Sequence, residues 1–449
     1  MSLSAVIAVN RFGYGAKAGE LEQAKQDPKS FLINQLQPIS FNQDLPNSHQ
    51  LLRQLAQYHQ EKKQAKKLRK KTSNQAPLSF KKIMPFFRAS YTELCADSIH
   101  QTISSSNSMM WRLLDFFSNH FSVSAQGPMM TTLAPTLERE AIAPYLLGSF
   151  SDMLVAVVHH PAMLKYLNNE QSFGPNSKAG KKGKGLNENL AREILELHTL
   201  GVNSGYTQED VIELAKGISG WSIAKPSIDD KNGFYYRKRG HEPGLRRLLN
   251  KIYTEKGEAQ GIAMLRSLAM EPKTAEHVCY KLARHFIADE PSRVLVKRLS
   301  ERWLATQGNL QQVVLSLIDS PESWAPISQK FKSPREHLIS TYRGLSLSVN
   351  KPRKLISMLT TLGQQPFKAN SPKGYGDNEL SWNGANALLV RIDWSVNVVH
   401  RKRNIEVKLL IPQLFGQQIS ERSYLEISRA ESRENALVLL LMSRDFLRR

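Results

Sequence analysis

Apolar residues in this chain recur at three- and four-residue intervals, and that spacing constrains its fold more than any other feature. Leu51, Leu52, Leu55 and Tyr58 open one amphipathic helix. Trp111, Leu113, Leu114, Phe116, Phe117 and Phe121 mark a second, and Met153, Leu154, Val157 and Val158 a third. Strand-like alternation is scarce. The pattern predicts a mainly α, large multi-helix globular fold with at most a few short strands, for example near Phe234, Tyr235 and Tyr236. Residues 207–210, Thr-Gln-Glu-Asp, have capping-box form before Val211, Ile212, Leu214 and Ala215, which predicts a helix from about Gln208 to Gly217. His160-Pro161 reads as a helix end or kink.

A chain of 449 residues can bury a large core, and no shift in composition forces a cut, so residues 1–449 read as a single large helical domain. Three segments stand out as excursions. Residues 55–82 form a basic helix extension and loop, 173–186 a glycine/lysine loop, and 365–381 an irregular loop punctuated by Pro366, Pro372, Gly374 and Gly376. The basic extension suits a solvated helix, or an arm for nucleic acid.

Lys and Arg number 61 against 40 Asp and Glu, a formal net charge of +21. Such a field attracts anionic partners, whether nucleic acid, acidic lipid surfaces or phosphorylated and acidic substrates. The plainer reading is one basic surface that aids solubility. Cys95 and Cys279 are the two cysteines, far apart in sequence, so neither a disulfide framework nor a cysteine zinc site is indicated. Both read as small buried hydrophobes. The N-terminus has no basic run followed by a long apolar one, and the apolar region 141–164 is broken by Pro144, Asp152, His159, His160 and Pro161. No secretory signal or membrane span is predicted, and the expectation is a soluble, cytoplasmic protein.

The richest chemistry lies in residues 173–201. Gly180, Gly183 and Gly185 let the backbone turn and approach a ligand, while Lys178, Lys181, Lys182 and Lys184 supply positive charge. The loop runs into a helix, whose first N–H groups would favour an anion. It is not a P-loop, because Gly-Lys is not followed by Ser or Thr and the glycine spacing differs. On a helical wheel Asn189, Arg192, Glu193 and Glu196 fall within about 100° of one another, opposite Leu190, Ile194 and Leu197, and Gly201 stands where a C-cap belongs. His198 lies on a different face. The stripe is either a solvated face with an Arg192–Glu196 pair, or a working surface. In the second reading Glu193 and Glu196 act as general base or bind a hard cation such as magnesium, and Arg192, Asn187 and Asn189 hold a polar or anionic substrate. No His-x-x-x-His or second Glu-x-x-Glu lies nearby, so no particular metal is specified.

Other polar groups sit in apolar settings. His120, between Phe117 and Phe121, is either a satisfied structural histidine or a proton-transfer group. His277, Lys281, Arg284 and His285 share one helical stripe, which is either a solvated face or an anion-binding wall opposite the glycine loop. His241-Glu242-Pro243-Gly244 is a turn following Arg237, Lys238 and Arg239.

Several of these stretches together resemble the bacterial family known as domain of unknown function 1800. They are residues 10–15, 115–124, 160–164, 174–177, 186–202, 206–208, 220–221, 241–244 and 281–286, with Leu-Asn-Glu-Asn-Leu-Ala-Arg-Glu-Ile-Leu-Glu-Leu-His-Thr-Leu-Gly-Val at 186–202 the most specific. The resemblance spans nearly the whole chain. It implies a largely helical fold with no assigned reaction. It also implies a companion protein similar to the alkaline-phosphatase and sulfatase superfamily, and in many members an export signal that this sequence does not display. Its motifs match Arg11, Asn119, His120, Asn176, Asn187, Asn189, Arg192, Glu193, Glu196, His198, His241, Lys281 and His285, which implies one shared pocket.

The functional expectation is an enzyme acting on a phosphate, sulfate or carboxylate group by transfer or hydrolysis. Glu193, Glu196, His120 and His198 are its catalytic candidates. Arg11, Asn176, Asn187, Asn189, Arg192, His241, Lys281 and His285 are its substrate-binding candidates. The alternative is a non-enzymatic binding or scaffold protein for an acidic partner or for nucleic acid, read without sequence preference because residues 61–71 lack interleaved aromatics.

Overall fold

The helix Ser108–His120 is buried on almost every side, with Met109, Met110, Trp111, Leu113, Leu114, Phe116 and Phe117 all in the core. A helix apolar all round belongs at the centre of a fold, and this one carries Arg112, Asp115, Ser118, Asn119 and His120 into that centre with it. In the computed structural model, which describes residues 3–69, 78–224, 233–326, 330–349, 351–400 and 405–449, one apolar cluster runs from Ala5 to Phe446 around this helix. The side chains of 68, 69 and 78–85 lie outside the described set, as do residues 70–77 of the basic excursion. No helix among the described residues is long and apolar enough to cross a membrane.

The architecture is mainly α. Among the described residues its strands form two antiparallel pairs, Trp221–Ile223 with Phe234–Tyr236 and Arg246–Leu248 with Lys251–Tyr253. Leu249 and Asn250 turn the second hairpin with φ of 48° and 64°, the left-handed pair that a two-residue hairpin turn requires. Asn tolerates this conformation and Leu does not, so an outside tie is needed. Asp210 supplies it, accepting the Leu249 N–H at 2.8 Å. The same Asp210 closes the capping box with Thr207 on the helix Gln208–Gly217, within the predicted bounds.

The long basic helix is Ser48–Arg69, and a second begins at Leu78. His160 ends the helix Phe150–His159 and caps the next, Pro161–Tyr166, its Nδ1 accepting from Ala162 N at 3.2 Å. Both cysteines are buried free thiols. Residues 365–381 form an irregular strap apart from the short turn Glu379–Ser381. Asn119 fastens it at both faces of one peptide position, donating to Tyr375 O at 2.9 Å and accepting from Tyr375 N at 2.8 Å.

Candidate functional site

The glycine/lysine loop packs against the turn that follows the first hairpin. Ala179 N donates to Arg239 O at 3.0 Å and Gly174 N to Gly240 O at 2.8 Å, so the two backbones are stitched together. Side chains lock the join. The Glu242 carboxylate accepts from Asn176 N at 2.8 Å and from Asn176 Nδ2 at 2.6 Å, and His241 Nδ1 meets Ser219 O at 3.1 Å. Gly180 is required here, because a Cβ would fall 2.1 Å from Gly174 O, and Gly183 has φ +84°. Gly185 meets neither condition: the space around it is open and its φ is not left-handed.

Between loop and turn runs a groove lined by Lys178, Lys181, Arg237, Lys238, Arg239 and His241. Among the described residues no carboxylate lines it, and Lys178, Lys181, Lys238 and Arg239 form no ion pair. Phe173 at its base lies under two cations, Lys184 Nζ at 4.4 Å and the Arg237 guanidinium at 5.3 Å. Burial lowers the Arg237 pKa, with the neighbouring Glu170 opposing it.

A model of the family described as a protein of unknown function, DUF1800, matches residues 7–448. The chain belongs to that family. No curated protein and no solved structure matches it.

The predicted residues of this DUF1800 chain separate into distinct places. Asn176 and His241 line the groove, whereas Glu193, Glu196 and Lys281 do not. Asn187, two residues before the helix, turns onto its first residue: its Oδ1 accepts the Asn189 N–H at 2.9 Å, which occupies a donor expected to face an anion. The helix runs from Asn189 to Glu193 and then widens into a π-turn, Ile194–His198. Arg192 bonds Glu188 at 3.2 Å and Gln208 at 2.9 Å and stands 3.6 Å from Glu196. These partners are half-exposed. Burial and the adjacent Glu196 push the Glu193 pKa up, and Arg192 offsets part of that rise. Among the described residues no group of three or more His, Cys, Asp or Glu is placed to hold a metal ion.

His120, His198 and Lys281 meet in the interior instead. Lys281 Nζ lies 2.9 Å from His120 Nδ1, and His120 Nε2 lies 3.1 Å from His198 O. A charged lysine donating to Nδ1 leaves the proton on Nε2. Burial and Lys281 lower both histidines, His120 well below the usual range and His198 to about 3, and burial takes Lys281 down to about 8. His120 is 1% and His198 0% exposed, between the rings of Phe117, Phe121 and Phe150.

The stripe on the helix Pro272–Phe286 therefore turns inward. His277 Nε2 meets Leu197 O at 3.2 Å, Arg284 donates to Asp377 O at 3.2 Å, and His285 Nδ1 stands 3.4 Å from Asp377 Oδ2. Asp377 also pairs with Lys330 at 3.2 Å. Burial would raise the Asp377 pKa, but His285 and Lys330 outweigh it and hold the carboxylate ionised. Gly201 serves this packing, since with φ +91° its missing Cβ would lie 2.8 Å from His277 Nδ1. Arg11 is a strut, 2% exposed, donating to Ser323 O at 2.7 Å and Ala325 O at 2.8 Å.

Asp377 and Lys330 escaped the sequence reading. Asp377 is a lone acid in an irregular loop and Lys330 one lysine among many, and their partners are remote in sequence. The arginines at 237 and 239 were visible as a basic run, but its pairing with the loop was not.

Proposed function

We propose that this chain binds an anionic group, phosphate, sulfate or carboxylate, in the groove between loop 173–186 and turn 235–243. One observation carries the reading: five Lys and Arg side chains line the groove and, among the described residues, no acidic side chain lines it with them. Cations brought together in this way repel one another, so an anion between them gains from every wall. The Asn176–Glu242 lock and the backbone stitches fix the walls before binding, which limits the ordering cost. Transfer or hydrolysis of the bound group belongs to the same proposal, as a step that needs a proton-transfer group within reach of the bound anion.

Titration with sodium phosphate and sodium sulfate at low ionic strength, read by thermal unfolding and calorimetry, tests it. Saturating anion is expected to stabilise the wild type by about 2.7 kcal/mol at a hundred times Kd. The double variant K178A/K181A should lose most of that gain, while E193Q and E196Q should retain it. If no anion stabilises the wild type, the reading fails.

Tyr235 supports a second reading. It is 39% exposed beside Arg237, Lys238 and Arg239, an arrangement suited to a stacked base on a single strand. A single-stranded oligonucleotide should then bind with an affinity that falls steeply with salt and weakens in Y235A. Binding indifferent to Y235A would leave only the simple anion.

A further inference from the structure

A second cavity, of about 130 Å³, shares no lining residue with the groove. It lies against the central helix, between Asp115 and Ser118 on one wall and the strap residues Phe367 and Tyr375 on another. Its acids are already answered. Asp115 accepts from the Tyr14 hydroxyl and from Arg335 Nε at 2.8 Å, Glu336 is held by Arg112 and by Arg449 at 2.7 Å, and Asp377 by His285 and Lys330.

Glu138 is the exception. It is 5% exposed and its hydrogen-bonding partner is Ser118, at 3.2 Å. Burial pushes its pKa up, with Arg335 opposing and Asp115 adding to the rise. The Ser98 hydroxyl in the same lining has no close hydrogen-bond partner among the described residues, though it stands near enough to Glu138 to favour the ionised form. The lining also includes the apolar side chains of Val123, Leu359 and Phe367.

This balance selects a ligand class. An ion entering the cavity would lose its hydration and meet Asp115, Glu336 and Asp377 already partnered and Glu138 with the Arg335 charge near it, a costly exchange. A neutral molecule bearing hydroxyls loses less, and it can bond Glu138, Ser98 and Ser118 while an apolar face rests on Val123 and Leu359. Size agrees as well. A cavity of about 150 Å³ takes benzene, with its six heavy atoms, so about 130 Å³ suits a polyol of about that size, such as glycerol.

We propose that this cavity binds a small neutral polyol, about the size of glycerol, with Glu138, Ser98 and Ser118 bonding its hydroxyls. Nothing in the proposal depends on the groove.

Isothermal calorimetry of the full chain with glycerol and with 1,2-propanediol tests it. Heat is the better readout, because polyols stabilise proteins generally by exclusion from their surface. At least one of the two should bind saturably at one site, and its affinity should fall at least about tenfold in S98L, which fills the cavity. If S98L does not fold, S118L fills it from the central helix. The charged analogues 3-amino-1,2-propanediol and glycerate should bind at least about tenfold more weakly than glycerol. The proposal is overturned if neither neutral polyol binds saturably, if affinity is unchanged in the filled variant, or if a charged analogue binds more tightly.

Discussion

The groove at the glycine/lysine loop and the interior around the central helix both gather cations, and they treat them in opposite ways. In the groove Lys178, Lys181, Lys238 and Arg239 stay exposed with no acidic partner among the described residues. In the interior Arg112 and Arg449 converge on Glu336, and Lys330 on Asp377, beside the His285 ring whose pKa burial lowers. Water explains the difference. A solvated lysine keeps its hydration and can remain uncompensated, whereas a buried one costs several kcal/mol unless a carboxylate stands beside it. Charge left unbalanced at a surface is available to a ligand, and charge balanced inside is committed to the fold.

Breaking the interior balance should give the largest effect. E336A leaves the Arg112 and Arg449 guanidinium groups, 1% and 2% exposed, without their shared carboxylate, and is expected to cost roughly 3–5 kcal/mol in denaturant unfolding. A loss below about 1 kcal/mol would mean that the network is not the strut described.

Acid should act on the same region. His198 has its pKa lowered to about 3 and His277 to about 4, chiefly by burial, from 6.5 in the unfolded chain. Above pH 6.5 both states are neutral and nothing changes. Below it the unfolded chain takes protons that the folded chain refuses, so stability falls as pH drops from 6.5 towards 4. His198 alone accounts for a loss on the order of 3 kcal/mol by pH 4. The replacement H198F should flatten part of this slope in a pH series of unfolding curves.

Two glycines sharpen the contrast within one stretch. G201A meets both a left-handed backbone and the ring of His277, and should cost about 1–3 kcal/mol. G185A, with open space around it and no left-handed φ, should change stability by less than about 0.5 kcal/mol. The smallest structural effect belongs to the groove. K178A/K181A is expected to leave unfolding within about 0.5 kcal/mol of wild type while removing the anion response, and a large loss of stability there would make the groove part of the fold.

Much of this was legible along the chain. Helical spacing marked the central helix, the Thr207 box marked the start of the helix Gln208–Gly217, and Pro161 marked the break after Phe150–His159. These signals are local, carried by neighbours within one or two turns. The wheel also set His198 apart from Glu193 and Glu196, and its side chain does turn into the core. The direction of the His277–His285 stripe was beyond reach of the wheel, since a wheel shows which residues share a face but not what that face meets.

The sequence by itself determined the helical class, the caps and turns, the basic excess and the left-handed glycines at 183 and 201, because each depends on backbone preference or composition. Tertiary structure alone decided which cations are desolvated. It drew Lys281 onto His120 across 161 positions and Asn176 onto Glu242 across 66, and it placed Asp377 beside His285. Spacing along a chain carries no record of such encounters, because they are set by how whole helices pack once their apolar faces are buried.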